Sequence, residues 1–299
     1  MSENTVFFIV NKYSGTGFQD SIEGRIIDAC AEHSLEAIIE YTKSKGHATE
    51  LARDAVSEGY SRIFALGGDG TVNEVAKGVA NTFATMGIIP GGSGNGLARH
   101  LHIPLKIGDA LKLLGKHNTI SMDTMTINNH ISVNVSGIGF DGHVAGQFGK
   151  NGKRGLIGYS KLVLKEFLSF KEFPAEVIID GKSMERSVFI LALANSSQFG
   201  NNAKISPFAS VCDQLIDVCF IKKVPIYQAA GFAEKMFTGR MDKSAFVEMI
   251  QGKKITLQFK DPMPYHIDGE AMQPASRFDI EIHPAALRMV VPVGVGGVV

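Results

Sequence analysis

Three short glycine-rich segments hold the residues best suited to phosphate chemistry. They are residues 11–17 (NKYSGTG), 67–71 (GGDGT) and 91–96 (GGSGNG). Glycines let a backbone approach a phosphate closely, and the amide groups at a helix start attract an anion. Asp69 is different, because a carboxylate repels a phosphate unless a divalent cation lies between them, and it therefore indicates Mg²⁺ and phosphoryl transfer. The alternative is an ordinary strand-to-helix turn in which Asp69 is a local cap.

Two standard nucleotide motifs can be checked against these segments. The sequence has no G-x-x-x-x-G-K-[ST] motif, so the segments are not a P-loop. Gly137-x-Gly139-x-x-Gly142 matches the dinucleotide pattern. Tyr159, however, occupies the position at which that pattern has an acidic residue that binds the ribose. The match is weak, and the three glycine segments together are what indicates a nucleotide.

The elements around the glycine segments predict a parallel sheet. Short apolar runs at residues 6–10, 37–41, 63–66 and 86–89 alternate with segments of helical periodicity. We predict one helix over residues 71–79, capped by Thr71 with Glu74 at the third helical position. Doubly wound sheets of this kind bind ligands at the loops that follow the carboxyl ends of their strands, and the glycine segments lie on those loops.

After about residue 118 the pattern changes to strands with few helices between them. We predict a mainly antiparallel β domain with helical patches near residues 156–170 and 225–237. Its strand-like runs are residues 119–127, 130–136, 175–180, 187–194, 216–221, 255–259 and 278–282.

Composition narrows the class of protein. The chain has 299 residues, 44% of them hydrophobic, which is enough for two domains. Its 30 basic residues balance 30 acidic ones, which excludes a polybasic nucleic-acid binder. Three scattered cysteines make no disulfide framework, so we expect a reducing compartment. With neither a signal peptide nor the roughly 18 apolar residues of a membrane span, the expected location is the cytoplasm.

Five segments spread over the chain occur together in a known order and rough spacing: 67–75 (GGDGTVNEV), 90–95 (PGGSGN), 137–142 (GIGFDG), 212–218 (CDQLIDV) and 266–270 (HIDGE). With these segments, the sequence resembles the diacylglycerol and sphingosine lipid kinases across essentially its whole length. GGDGT alone is also similar to the NAD kinases and the 6-phosphofructokinases, but Asn73-Glu74-Val75 and the late Asp-Gly-Glu favour the lipid kinases.

The resemblance implies two domains and a nucleotide site. An α/β, doubly wound nucleotide-binding domain would span residues 1–128 with a returning tail at 287–299, and a mainly antiparallel β-sandwich domain for the lipid would span 129–286. ATP and Mg²⁺ would be the cofactors, with ATP meeting the lipid hydroxyl in a cleft. The implied ATP contacts are Asn11, Lys12, Tyr13, Ser14, Gly15, Thr42, Gly67, Gly68, Asp69, Gly70, Thr71, Val72, Asn73 and Ser93.

The resemblance also assigns catalytic and metal roles. Glu270 resembles the proton acceptor, supported by Asp268, and Asp69 would organise the catalytic Mg²⁺. Ser210, Asp213 and the Leu215 carbonyl resemble a second, structural cation site; without the family, Asp213 could equally be an ordinary turn residue.

The sequence departs from the family pattern at three positions. Lys12 replaces the usual proline of the first loop, and Gly96 replaces an aspartate that often follows the GSGN segment in bacterial members. Gln214 replaces the glycine of the Asp-Gly metal segment, which bears on the geometry of the structural metal site.

Residues 150–173 form a basic, amphipathic segment. Six basic residues stand against two acidic ones, and apolar residues recur at helical spacing. This pattern is typical of a helix that lies on a membrane surface, and equally of a surface helix packed on a sheet.

Taken together, these features predict a cytoplasmic, transiently membrane-associated lipid kinase that uses ATP and Mg²⁺. The expected partner is a lipid such as diacylglycerol or a sphingoid base at a membrane surface; nucleic acid is excluded and a homodimer is left open. The alternatives are an NAD-kinase-like enzyme and a non-catalytic nucleotide-binding regulator. Against the regulator, a binding protein gains little from Asp69, Asp268 and Glu270 beside a triphosphate.

Overall fold

The computed structural model of the chain describes residues 4–15, 21–151 and 166–295. Its backbone contacts divide the chain into two compact units. The first unit holds residues 1–124, 210–213 and 283–299, and the second holds residues 125–209 and 214–282.

The first unit contains a parallel sheet. Its strands lie in the order β2-β1-β3-β4, and Arg288 and Met289, near the chain's end, extend the sheet by pairing in parallel with Thr85 and Met86. The predicted parallel α/β architecture is confirmed. The four strands are β1 Thr5–Val10, β2 Glu36–Tyr41, β3 Arg62–Gly67 and β4 Thr85–Pro90.

Helices alternate with these strands. In the second helix, Ala48, Ala52 and Ala55 are buried at helical spacing, and these small side chains allow a close approach to the third helix. A Cβ atom at Gly78 of the third helix would lie 2.4 Å from the Ala52 Cβ, so glycine is needed at this contact. The helices of this unit are α1 Ile22–Ala31, α2 His47–Ser57, α3 Asp69–Val79, α4 Gly96–His100 and α5 Ile107–Leu111.

The predicted capping box of α3 is wrong. The helix begins at Asp69, two residues earlier than predicted, and Gly68 occupies the cap position, so Thr71 lies inside the helix. Glu74 points to a different helix: its Oε1 accepts the Gly46 N–H (2.9 Å) and its Oε2 accepts the Ala48 N–H (3.2 Å) at the start of α2. A local spacing rule fails here because the donors that Glu74 satisfies are 28 and 26 residues away.

The second unit is a β-sandwich. One sheet has the strand order β12-β11-β10-β7-β14-β15, and the other contains β9, β8, β13 and the first part of β16. Leu191 and Val218 of the first sheet share one buried cluster with Val177, Leu257 and Phe278 of the second. The strands from β5 onward are β5 Asn118–Ile127, β6 His130–Ser132, β7 Val135–Gly139, β8 Phe173–Ile179, β9 Lys182–Val188, β10 Ile190–Ala194, β11 Ile216–Ile221, β12 Val247–Gly252, β13 Lys254–Met263, β14 Tyr265–Ile267, β15 Glu270–Ala271 and β16 Ala275–Val291.

Two runs predicted as single strands are each divided. Residues 130–136 break at Val133 and Asn134, whose N–H groups bind the Asp268 carboxylate instead of a neighbouring strand. Residues 187–194 break at Phe189, because β9 pairs with β8 in one sheet whereas β10 pairs with β11 in the other. The strands β12, β14 and β15 were not predicted, because short strands with mixed polarity carry a weak pattern.

The helical predictions of this unit have mixed outcomes. Residues 225–237 contain a 3₁₀ turn, Ile226–Gln228, followed by helix α7, Ala229–Thr238. A helix not predicted, α6 Phe140–Asn151, follows β7. Most of the predicted helix at 156–170 lies outside the described residues. Within the described ranges, no helix has the length and apolar character needed to span a membrane.

Candidate functional site

In the first unit, the structure brings the three glycine segments together at the carboxyl edge of the parallel sheet. The Asn11 N–H donates to the Leu66 carbonyl (2.9 Å), and the Gly91 N–H donates to the Gly67 carbonyl (2.8 Å). The loops after β1, β3 and β4 are therefore neighbours, as expected for parallel strands. Residues 16 and 17 of the first segment lie outside the described residues.

Glycines permit direct contact between these loops. A Cβ atom at Gly92 would lie 2.5 Å from the Gly68 Cα, and one at Gly15, where φ is +70°, would collide with the Gly91 carbonyl oxygen. Any larger residue would push the loops apart. The glycines thus serve loop-to-loop packing, a need that spacing alone did not reveal.

Asn11 organises the first loop. Its Nδ2 donates to the Thr71 hydroxyl (3.0 Å), its Oδ1 accepts the Tyr13 N–H (2.9 Å), and its carbonyl accepts the Ser14 hydroxyl (2.9 Å). Because the Asn11 side chain links this loop to the first turn of α3, it fixes the position of the loop after β1 relative to the loop after β3. Lys12 lies with its ammonium 3.6 Å from the centre of the Tyr41 ring.

Asp69 joins the second and third loops. Its Oδ2 accepts the Asn95 N–H (2.9 Å) and its Oδ1 accepts the Gly96 N–H (2.6 Å) at the start of α4. Asp69 is thus a cap, but of a helix that begins 27 residues further on. A carboxylate offers about four acceptor positions, so both oxygens can also face a cation.

The other predicted nucleotide contacts differ in accessibility. Gly70 and Ser93 are exposed at the loop edges, whereas the side chains of Val72, Asn73 and Thr42 are buried. A nucleotide could therefore reach Val72 only through its backbone. Thr42 follows β2 and donates its N–H to the Val10 carbonyl (3.0 Å), which places it beside the first loop.

In the second unit, Asp268 is a buried anchor. Its carboxylate accepts the Ser132 hydroxyl (2.6 Å), the Val133 N–H (2.9 Å) and the Asn134 N–H (3.1 Å), and the residue is 7% exposed. Three donors on one carboxylate hold the β14–β15 hairpin against the link between β6 and β7. Asp268 thus has a structural task that the resemblance did not specify.

Glu270 is the first residue after a tight two-residue turn. Ile267 pairs with Glu270, and the turn residues Asp268 and Gly269 have φ of +48° and +86°, as in the type I′ turns of hairpins. Glu270 is only partly buried, and its backbone is fixed by the pairing of β15 with β14.

The residues of the predicted structural cation site are divided between the units. Ser210 and Asp213 belong to the first unit, where the Ser210 hydroxyl accepts the Cys212 N–H (3.3 Å) and Asp213 is exposed; Leu215 belongs to the second. Gln214, which stands where the family has a glycine, has φ of +64°. It therefore adopts the left-handed backbone conformation that glycine favours. In the part of the chain that the structure describes, no cluster of three or more His, Cys, Asp or Glu side chains could hold a metal.

The sequence reasoning missed Asp123. This aspartate is 2% exposed in β5 and accepts the Ala285 N–H (2.7 Å). Burial raises the pKa of the neighbouring Cys212 thiol, and the negative charges of Asp123 and Asp213 raise it further. The sequence signal for Asp123 is that it is the single charged residue in the strand-like run 119–127, where a buried charge needs a partner.

The geometry above agrees with the comparison to known protein families. Residues 5–127 match the diacylglycerol kinase catalytic domain, and residues 134–291 match the YegS C-terminal NAD kinase beta sandwich-like domain. The two matches cover nearly the whole chain. The chain therefore belongs to the family of two-domain lipid kinases, which are phosphotransferases with an alcohol acceptor.

Curated relatives match over most of their length. A Chromohalobacter salexigens protein named probable lipid kinase YegS-like is 25% identical over 86% of this chain and 84% of its own. A diacylglycerol kinase from Bacillus subtilis strain 168 is 24% identical over 88% of both chains.

Solved structures share the fold. A crystal structure of a diacylglycerol kinase from Bacillus anthracis has a TM-score of 0.77, is 22% identical and covers 98% of both chains. Another structure from that organism has a TM-score of 0.81 with 25% identity, over 98% of both chains.

The contacts of Asp268 predict a stability effect that separates it from Glu270. Asp268→Asn places an amide against two N–H donors and should lower the free energy of unfolding by about 2–4 kcal/mol. Glu270→Gln, two residues away and partly exposed, should change it by less than about 0.5 kcal/mol. Urea unfolding of both variants measures this, and equal losses would contradict the anchoring role of Asp268.

Proposed function

We propose that this chain transfers the γ-phosphate of ATP to a hydroxyl of a lipid such as diacylglycerol or a sphingoid base. The observation that carries the proposal is the meeting of three glycine loops and the Asp69 carboxylate at one sheet edge, in a chain of the lipid kinase family. The first unit would then be the nucleotide-binding domain and the second the lipid-binding domain.

The first unit offers a suitable environment for ATP. Backbone N–H groups in the loops after β1, β3 and β4 and at the start of α3 can donate to phosphate oxygens, which favours binding of a triphosphate. The exposed Ser93 hydroxyl adds a neutral donor, whereas the Ser14 hydroxyl could donate to a phosphate only in place of its bond to the Asn11 carbonyl. Lys12 supplies a positive charge at the exposed rim of the first loop.

The donor set at Asp69 fits Mg²⁺, a cation that binds through one or two carboxylates and the phosphates of its substrate. Asp69 would hold the ion against phosphate oxygens, and the ion would neutralise charge that develops during transfer. Ser210, Asp213 and the Leu215 carbonyl, all oxygen donors, are the proposed ligands of a second, structural cation.

Glu270 is the proposed general base. As the lipid oxygen attacks the γ-phosphorus, its proton passes to the Glu270 carboxylate, the bond from phosphorus to the bridging oxygen breaks, and ADP leaves. Asp268 supports this step through the turn that it anchors.

An NAD-kinase-like activity is the second candidate, since the second unit matches a sandwich domain described as NAD kinase-like. Labelled ATP with diacylglycerol, monoacylglycerol, sphingoid bases, ceramide and polyprenol in mixed micelles, beside NAD without lipid, distinguishes the two. Label in a lipid supports the proposal, label in NAD alone supports the alternative, and no transfer to any acceptor supports a regulator.

The base assignment predicts a kinetic effect for Glu270→Gln. The amide keeps the shape of the side chain but accepts no proton, so kcat should fall by about 10²- to 10⁴-fold with ATP binding retained. Steady-state kinetics and a separate ATP-binding titration measure the two quantities. Near-normal turnover would contradict the assignment.

The metal assignment predicts a Mg²⁺-dependent defect for Asp69→Asn. Removing the charge should raise the Mg²⁺ concentration needed for half-maximal rate by about tenfold or more, because the metal loses an anionic ligand. A Mg²⁺ titration of the initial rate tests this. If the variant has the wild-type titration curve and rate, Asp69 is only the cap of α4.

We also propose that the enzyme works in the cytoplasm and binds transiently to an anionic membrane through its second unit. Leu168 and Tyr227 are 65% and 80% exposed. Lys223, four residues before Tyr227 in the chain, donates to the Leu168 carbonyl (3.3 Å) and so links the two segments that carry these side chains. Large apolar side chains beside lysines suit a lipid surface with negative headgroups. For the segment 150–173, the sequence left open both a membrane helix and a helix packed on the protein; residues 152–165 lie outside the described ones, and Phe167 and Phe170 pack against Phe140 and Phe189. A homodimer is left open.

The membrane proposal predicts that Leu168→Ser with Tyr227→Ser weakens vesicle binding by about tenfold or more, since burying one such side chain stabilises by about 1.5–3 kcal/mol. Co-sedimentation with vesicles containing phosphatidylglycerol measures the loss. Ile178→Ser, at a 43% exposed position on β8, is the matched control. Equal binding by the double variant and the wild type would place the membrane surface elsewhere.

A further inference from the structure

The glycine motif at residues 137–142 surrounds an aspartate that the proposed mechanism does not use. Asp141 lies in the first turn of α6, and its Oδ1 accepts the Gly142 N–H (2.8 Å). Its Oδ2 is buried without a hydrogen-bond partner in the described structure, and lies 3.4 Å from Nε2 of His266. The carboxylate thus faces one imidazole.

The motif glycines make room for this arrangement. A Cβ atom at Gly137 would overlap Oδ2 of Asp141, and one at Gly142 would collide with the backbone of Pro264 and Tyr265. The resemblance of these glycines to a dinucleotide fingerprint therefore has another physical cause: they seat Asp141 and α6 against β14.

The hydrogen bonds of His266 define its tautomer. Its Nδ1 accepts the Gly269 N–H (3.1 Å), so Nδ1 carries no proton, and in the neutral ring the proton is on Nε2, facing Asp141. The ring is 4% exposed, so water does not compete for these contacts. A neighbouring carboxylate favours this tautomer, as it does behind metal-binding histidines.

Gly269 is the residue that precedes Glu270. Asp268 holds one side of the turn through Ser132, Val133 and Asn134, and His266 holds the other through the Gly269 N–H. We infer that Asp141 and His266 are positioning residues, which act through Gly269 to hold the Glu270 carboxylate in place for proton abstraction. The inference rests on the proposed function, because it gives Glu270 the role of base.

The test is a double-mutant cycle between Asp141→Asn and Glu270→Gln, with kcat and both KM values measured on a lipid substrate. Asp141→Asn should lower kcat about tenfold with the KM for ATP unchanged, because a supporting residue typically contributes 10- to 100-fold. In the Glu270→Gln background, the same change should lower kcat less than about twofold, since the base is already absent.

Two further variants separate positioning from folding. His266→Asn keeps an acceptor near the place of Nδ1 and should retain more activity than His266→Phe, which has none. Ser206→Ala removes a buried hydrogen bond to Asp217 elsewhere in the same unit and should lower the melting temperature without lowering kcat.

The outcomes are distinct. Wild-type kcat in Asp141→Asn, or an equal loss in both backgrounds, would overturn the positioning role, and so would a rise in the lipid KM alone, which would indicate a direct contact with the substrate. Near-normal turnover in Glu270→Gln would instead overturn the base assignment, whatever Asp141→Asn does.

Discussion

Carboxylates that accept backbone N–H groups from distant segments hold this protein's functional loops in place. Each such bond gives a carboxylate acceptor to a backbone N–H at a helix start or between strands, where no neighbouring carbonyl accepts it. A hydrogen bond to a charged group typically stabilises a protein by about 1.5–3 kcal/mol. The sequence separations run from 26 to 162 residues, so the bonds form only in the folded chain. The acids are Asp69, Glu74, Asp123 and Asp268.

In the first unit, two of these acidic residues each hold one segment of the chain against another. Asp69 ties the loop after β3 to the start of α4, and Glu74 ties α3 to the start of α2. With the bond from the Gly91 N–H to the Gly67 carbonyl, these bonds hold the described parts of the glycine loops side by side. A triphosphate bound there would meet a backbone that these bonds have positioned, and preorganised donors lower the reorganisation that phosphoryl transfer requires.

In the second unit, the same principle distinguishes Asp268 from Glu270, the proposed base. Asp268 is buried and accepts three hydrogen bonds, which suits an anchor, whereas Glu270 is partly exposed and follows a turn with two positive φ angles. The Asp-Gly-Glu segment thus combines a buried anchoring carboxylate with a glutamate that is only partly buried. His266 and Asp141 complete the support from the opposite side of the turn.

Local pattern was sufficient for much of the fold. The apolar runs of β1 to β4 and of β11, and the change from alternating helices and strands to strands alone, follow from side-chain burial, which repeats at short and regular spacing. GGDGT likewise pointed to phosphate chemistry, because few residue types suit a site for phosphate and a cation, whereas the proton chemistry of the Asp-Gly-Glu segment was implied only by the resemblance to the lipid kinases.

Tertiary structure decided what those residues contact. Spacing assigned Glu74 to its own helix, whereas it caps α2, and treated 130–136 as one strand, whereas Asp268 takes the two N–H groups at its break. The bond of Asp123 to the Ala285 N–H and the pairing of Asp141 with His266 could not be predicted for the same reason. A hydrogen bond between residues more than 100 apart leaves no periodic mark on the chain, since only folding brings its donor and acceptor together.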